Sequence, residues 1–146
     1  MVLLDVKEID ILGEVVMRKA FSKTQLKLIK DNNLLTFVTA DINGQPHAVI
    51  IEPSKFELDK ITIPVVQMEV SRRNVEKNKK CFLHAFIDKG LEDSIQFKID
   101  GEVEIYTEGK LFEWVKKFEE GERLPEGLFV NAIFVVYPTN IDMVVG

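Results

Sequence analysis

The stretch MEVSRRNVEKNKK, residues 68–80, gathers the groups best suited to hold an anion. Ser71 offers a hydroxyl, Arg72 and Arg73 offer guanidinium forks, and Asn74 offers an amide, all at consecutive positions. The chain around them is acidic, with a formal net charge of -5. A helix N-terminus leaves backbone N–H groups unpaired and carries a partial positive charge. A serine hydroxyl and a guanidinium at that end complete a site for phosphate or carboxylate. The stretch predicts a helix from about Ser71 to Lys79 with Ser71 as its N-cap, which puts Ser71 to Asn74 in the first turn. Lys77, Lys79 and Lys80 fall toward the other end, where cations favour the helix dipole whatever the function. These lysines are expected to face solvent and to be expendable for ligand binding. A plain cap beside a surface arginine uses the same residue types as an anion site. The choice between the two rests on the elements around them.

Other residues that carry chemistry point elsewhere. His47 and His84 are far apart in sequence and no Cys/His spacing suits zinc, so no metal site is expected. His84 sits in an apolar strand and reads as a core or interface histidine. Cys81 is the lone cysteine and reads as a buried, inert thiol. No nucleophile-elbow motif supports serine catalysis, and no Gly-rich phosphate loop is present. Trp114 lies on the apolar stripe of a helix and reads as core or subunit contact. EEGERLPEG (119–127) reads as a solvated loop.

The elements that position the basic cluster follow from pattern. SKTQLKLIKDNN predicts a helix capped by Ser22 and stopped by Asn32-Asn33. LLTFVTA (34–40) and HAVIIEP (47–53) predict strands joined through the Asn43-Gly44 turn. Residues 56–65 predict a strand pair or one kinked strand, with Pro64 marking the exit. CFLHAFID (81–88) follows as a strand. In the segment 94–107, Ile95, Phe97 and Ile99 alternate with Gln96, Lys98 and Asp100, and Gly101 marks a bulge. Leu111, Trp114, Val115 and Phe118 recur at helical spacing. The close is a long strand broken at Pro138. The first 20 residues read as a short helix or an added strand outside the core.

The chain has 146 residues and is 46 % apolar, which fits one domain over 1–146 with residues 1–21 as an extension. The spacing of the elements suggests a fold that is mainly β with short helices, a small antiparallel barrel of five or six strands. The acidic balance argues against a general nucleic-acid binder. No apolar run approaches a membrane span, and no signal peptide is visible, so a cytoplasmic location is expected.

The ordered set of pieces resembles the FMN-binding split-barrel family, which includes pyridoxamine 5′-phosphate oxidase-like proteins. The pieces are LTFVTADINGQPHAVII, ITIPVVQM, SRRNVEKNKKCFLHAF and IDGEVEI with the following helix and last strand, roughly residues 22–140. The resemblance implies a six-stranded antiparallel split β-barrel of Greek-key type, with FMN as cofactor, its phosphate on Ser71 and Arg73 with Arg72 and Asn74 nearby. It implies backbone from Val65 through Gln67 and Met68 to Val70 along the isoalloxazine edge, and Ile50 and Glu52 beside the ring. Val49, Ile50 and Ile51 stand where small FMN-binding relatives carry polar residues, so a deazaflavin, haem or no cofactor remain alternatives. The implied activity is flavin-dependent electron or hydride transfer, the alternative a non-enzymatic FMN carrier or sensor. The implied partner is a second copy, in a homodimer with flavin at the subunit interface. Apolar excess on both faces of strand 81–88, in LFVNAIFVVY and at 49–51 points the same way.

Overall fold

The computed structural model of the chain describes residues 7–9, 15–90 and 94–146. Two short strands, β1 (Lys7–Ile9) and β2 (Val15–Met17), pair as an antiparallel hairpin. The rest of the N-terminal expectation lies outside the described residues. Helix α1 (Lys23–Asn32) follows, then β3 (Leu35–Ala40) and β4 (Pro46–Ile51). Next come β5 (Lys55–Phe56), β6 (Ile61–Val65), α2 (Glu69–Lys77), β7 (Lys80–Ile87) and β8 (Ile95–Tyr106). Helix α3 (Lys110–Glu120) and β9 (Ala132–Val145) complete the order. The fold is mainly β with three short helices around a curled antiparallel sheet.

That sheet has seven strands among the described residues, in the order β4-β3-β7-β8-β9-β6-β5, and not the six expected. The extra strand arises because 55–65 folds as a pair, with Glu57 N–H donating to Lys60 C=O at 2.9 Å across the turn. Pro64 does not end β6; it sits inside it, opposite Ile133 of β9. Its missing N–H faces the other way, beyond the end of two-residue β5, so no ladder bond is lost. Pro138 likewise does not break β9. It pairs with Gly101 where the register shifts between Asp100 and Gly101, and this bulge absorbs the missing donor.

Local chemistry explains the elements that matched. Ser22 caps α1 in a full capping box: its hydroxyl accepts from Gln25 N–H at 3.1 Å, and the Gln25 side chain accepts from Ser22 N–H at 2.9 Å. Asn33 closes the helix with φ 73°, a left-handed conformation that asparagine tolerates. In the β3–β4 turn, the Asp41 carboxylate takes N–H bonds from Asn43 and Gln45 at 2.8 and 2.9 Å.

The concave face of the sheet buries Leu35, Phe37, Ile61, Ile63, Leu83, Phe97, Ile99 and Phe134, joined by Ile29 of α1 and Val75 of α2. Gly101 belongs to this packing. A Cβ there would stand 2.8 Å from Val136 Cγ1 and 3.1 Å from the Tyr137 carbonyl oxygen. Gly101→Ala is therefore expected to lose about 1–3 kcal/mol of stability, read from denaturant midpoints; an unchanged midpoint would contradict this packing. Cys81 lies beside Gly101 and is buried, as expected. Burial first, then the charges of Asp100 and Glu102, push its thiol far above the usual range, which leaves it unreactive.

Helix α3 covers the opposite face of β6 and β9. Phe112, Val115, Val130, Ile133 and Val135 form a second apolar cluster there. This overturns part of the reasoning for an interface: the apolar excess of β9 is covered by the chain's own helix, and Val135 is 1 % exposed. Trp114 is not core either. It stacks on Phe118 at 5.0 Å, Lys55 lies over its ring at 5.3 Å, and Arg123 lies over Phe118 at 4.8 Å. This stack of cation, ring, ring and cation ties α3 to β5. The expected solvated loop also begins otherwise: Glu119 is buried. Its carboxylate accepts from the Ser54 hydroxyl at 2.5 Å and pairs with Arg123 at 3.5 Å.

Candidate functional site

Helix α2 begins two residues earlier than its sequence predicts. Its N-cap is Met68, without a side-chain cap, and Ser71 stands inside the first turn. Ser71 is thus not the capping residue. The turn into the helix sets this start: Gln67 adopts φ 54° and swings the chain out of β6. The Arg72 N–H already bonds to Met68 C=O at 2.9 Å. The N–H groups of Glu69, Val70 and Ser71 precede the first helical bond, so no helical carbonyl takes them.

Ser71 is 1 % exposed, and its hydroxyl has no hydrogen-bond partner among the described residues. Leaving such a group unpaired costs about 1–3 kcal/mol. Arg73, two positions on, is exposed and forms no ion pair with any described residue. Arg72 is engaged instead, with Nε 3.4 Å from the Glu76 carboxylate. Asn74 is buried, and its amide donates to the Thr39 hydroxyl at 3.0 Å. It pins α2 to β3. Glu69 opens the helix with an exposed carboxylate, the usual sign for a helix start.

The other sequence-derived positions divide. Val65 is buried, and its carbonyl already accepts from Asn131 N–H at 3.0 Å. Gln67 is exposed, Met68 half-buried on the core, and Val70 38 % exposed, so 67–70 form one accessible rim at the helix start. Ile50 lies on β4 and Glu52 just beyond its end. Ile50 points from the convex face and is 75 % exposed. Glu52 pairs with Arg123 at 2.6 Å and accepts from Asn33 at 2.7 Å. Residues 47, 49 and 51 are the ones turned inward on β4. Strand alternation carried that signal.

Lys77, Lys79 and Lys80 are exposed, as expected. Changing all three to glutamine is expected to leave ligand affinity within about twofold at moderate salt. A tenfold loss in a binding titration would instead extend the site along the whole helix. His84 is half-buried, bonded through Nε2 to Gln96 Oε1 at 3.0 Å. No described helix is long and apolar enough to cross a membrane.

The family profile of pyridoxamine 5′-phosphate oxidase matches residues 21–141. No curated protein matches the chain. Among solved structures, HupZ of Group A Streptococcus superposes with a TM-score of 0.71 at 22% identity, covering 85% of this chain and 99% of its own. An FMN-binding protein of Syntrophomonas wolfei gives 0.70 at 17% identity, with 82% of each chain covered. HutZ, the haem storage protein of Vibrio cholerae, gives 0.62 at 14% identity, covering 82% of this chain and 89% of that one. Identities this low show a shared fold.

Proposed function

We propose, since the chain belongs to the pyridoxamine 5′-phosphate oxidase family, that it binds FMN with the phosphate at the start of α2. The observation that carries this reading is the Ser71 hydroxyl, which has no partner among the described residues, in the first turn of α2 beside Arg73, which pairs with no described residue. A phosphate supplies what each of these lacks: acceptor oxygens and negative charge. The residues present therefore fit the group. Ser71 is buried, so the reading requires that its hydroxyl be uncovered when the ligand binds.

A bound flavin supplies redox chemistry. The chain's own contribution is to orient it: Ser71, Arg73 and the first-turn N–H groups hold the anionic end, and the rim 67–70 lies alongside. We assign the protein as an oxidoreductase or electron-transfer protein on this basis. The FMN-binding neighbour supports flavin; the haem storage neighbour makes haem the ligand to test against it. Titrating the purified protein with FMN and with haemin decides between them. Saturable quenching of flavin fluorescence supports the reading, and a haem Soret shift without flavin binding overturns it. Bleaching of the bound flavin by NADH or NADPH supports the oxidoreductase, and its absence a carrier or sensor.

The functional unit is a homodimer in this reading. The convex face carries Ile50 at 75 % and Phe86 at 52 % exposure. Between them the register places Thr36 and His84. Exposed apolar surface of this kind favours pairing with a second copy.

A further inference from the structure

Residues 72–80 hold five basic side chains and one acidic one, in a chain whose formal net charge is -5. Arg72 is paired with Glu76, and Arg73 stands at the proposed phosphate site. Three lysines remain. Lys77 ends α2, Lys79 lies past its C-cap Asn78, and Lys80 opens β7. The helix dipole accounts for Lys77 alone, because its effect fades beyond the last turn. All three are exposed, and no ion pair joins any of them to a described residue. Lys27 and Lys116, by contrast, lie 2.8 and 2.7 Å from a carboxylate four positions on. The backbone beneath the three lysines is pinned. Asn78 N–H donates to Asn74 C=O at 2.7 Å, and the Asn78 side chain accepts from Lys80 N–H at 3.1 Å. The Lys79 C=O accepts from Val103 N–H of β8 at 2.7 Å. Carboxylates enter this surface at Glu76 and at Glu102, which stands opposite Lys80 on β8. Lys77 follows Arg73 by four positions, about 6 Å along the same helix face. The cationic surface therefore runs on from the proposed phosphate site.

We infer that Lys77, Lys79 and Lys80 form the docking surface for an acidic electron-carrier protein, one that exchanges electrons with the cofactor held at the start of α2. The inference rests on the flavin reading. Charge complementarity selects the occupant: fixed cations on an acidic chain draw a negative patch, while the rest of the chain repels it and so sets the orientation. Electron-transfer encounters are small and weak, which suits three lysines on a short turn. Two encounters with a one-electron carrier, each oxidising one carrier by one electron, deliver the pair that a flavin takes up with solvent protons. A membrane is the poorer occupant, since polybasic lipid binding takes about four to eight cations and this chain is acidic overall.

The probe is a plant-type two-iron ferredoxin, an acidic protein that carries one electron. Its association rate is measured, with FMN added, on three proteins: wild type, the triple variant Lys77→Gln, Lys79→Gln and Lys80→Gln, and the matching arginine triple. At low salt the glutamine triple should associate at least about tenfold more slowly, and near 1 M salt, where the Debye length is about 3 Å, the difference should vanish. The arginine triple keeps the charge and should match the wild type. FMN is titrated into the same three proteins. A wild type that does not bind the ferredoxin, or a glutamine triple that binds it at the wild-type rate, overturns the docking surface; FMN binding that is intact in those samples leaves the flavin reading standing. Phosphatidylserine vesicles that capture the wild type and not the glutamine triple, with no ferredoxin bound, give the surface to a membrane and overturn the proposal. A wild type that does not bind FMN overturns both readings.

Discussion

Phe86→Glu is expected to separate the proposed dimer into monomers and, if flavin sits at that interface, to release it in the same step. Phe86 is 52 % exposed on the convex face, on the strand that carries His84 two positions earlier. A two-fold interface meets the substitution twice, so each dimer would bury two carboxylates without a partner. Breaking or leaving uncompensated a buried charge costs about 3–5 kcal/mol, or more than a hundredfold in dimer affinity. Light scattering should then show a monomer at concentrations where the wild type is a dimer. The fold itself should persist, because Phe86 lies outside the buried core. A variant that stays dimeric, or a wild type that is a monomer and still holds flavin, contradicts the interface.

Arg73→Ala carries the other large effect. Arg73 has no ion pair among the described residues, so its removal leaves no carboxylate stranded and little stability is lost. A charge-assisted contact to phosphate is worth about 1.5–3 kcal/mol, which is tenfold to a hundredfold in FMN affinity. Riboflavin, without the phosphate, should bind the variant as it binds the wild type. Arg72→Ala should do less, because Arg72 already faces Glu76. Equal losses of FMN and riboflavin in Arg73→Ala would remove the phosphate from α2.

The sequence made legible whatever local chemistry decides. Ser22 and Gln25 cap α1 from three positions apart, and Asp41 folds the β3–β4 turn upon itself. The alternation of Ile95, Phe97 and Ile99 fixes which face of β8 is buried. Long-range contacts decided the rest. Ser71 looked like a cap, but the turn at Gln67 starts the helix earlier, and the hydroxyl ends up buried. Asn74 stands among the basic residues in sequence, and nothing there shows that Thr39, 35 positions away, bonds its amide. Glu119 sat in a charged run that reads as solvated, yet it is buried and accepts from the Ser54 hydroxyl 65 positions away. The family resemblance marked 49–52 as a flavin strand, but only the pleat distinguishes inward His47 from outward Ile50.

The anion site at the start of α2 is the central claim, and the ratio of FMN to riboflavin affinity in the wild-type protein tests it most directly. Both ligands share the ring and the ribityl chain and differ in the phosphate alone. With Ser71, Arg73 and the first-turn N–H groups on the phosphate, FMN should bind at least about tenfold more tightly than riboflavin, and added inorganic phosphate should compete with FMN only. Equal dissociation constants for the two flavins would contradict the account.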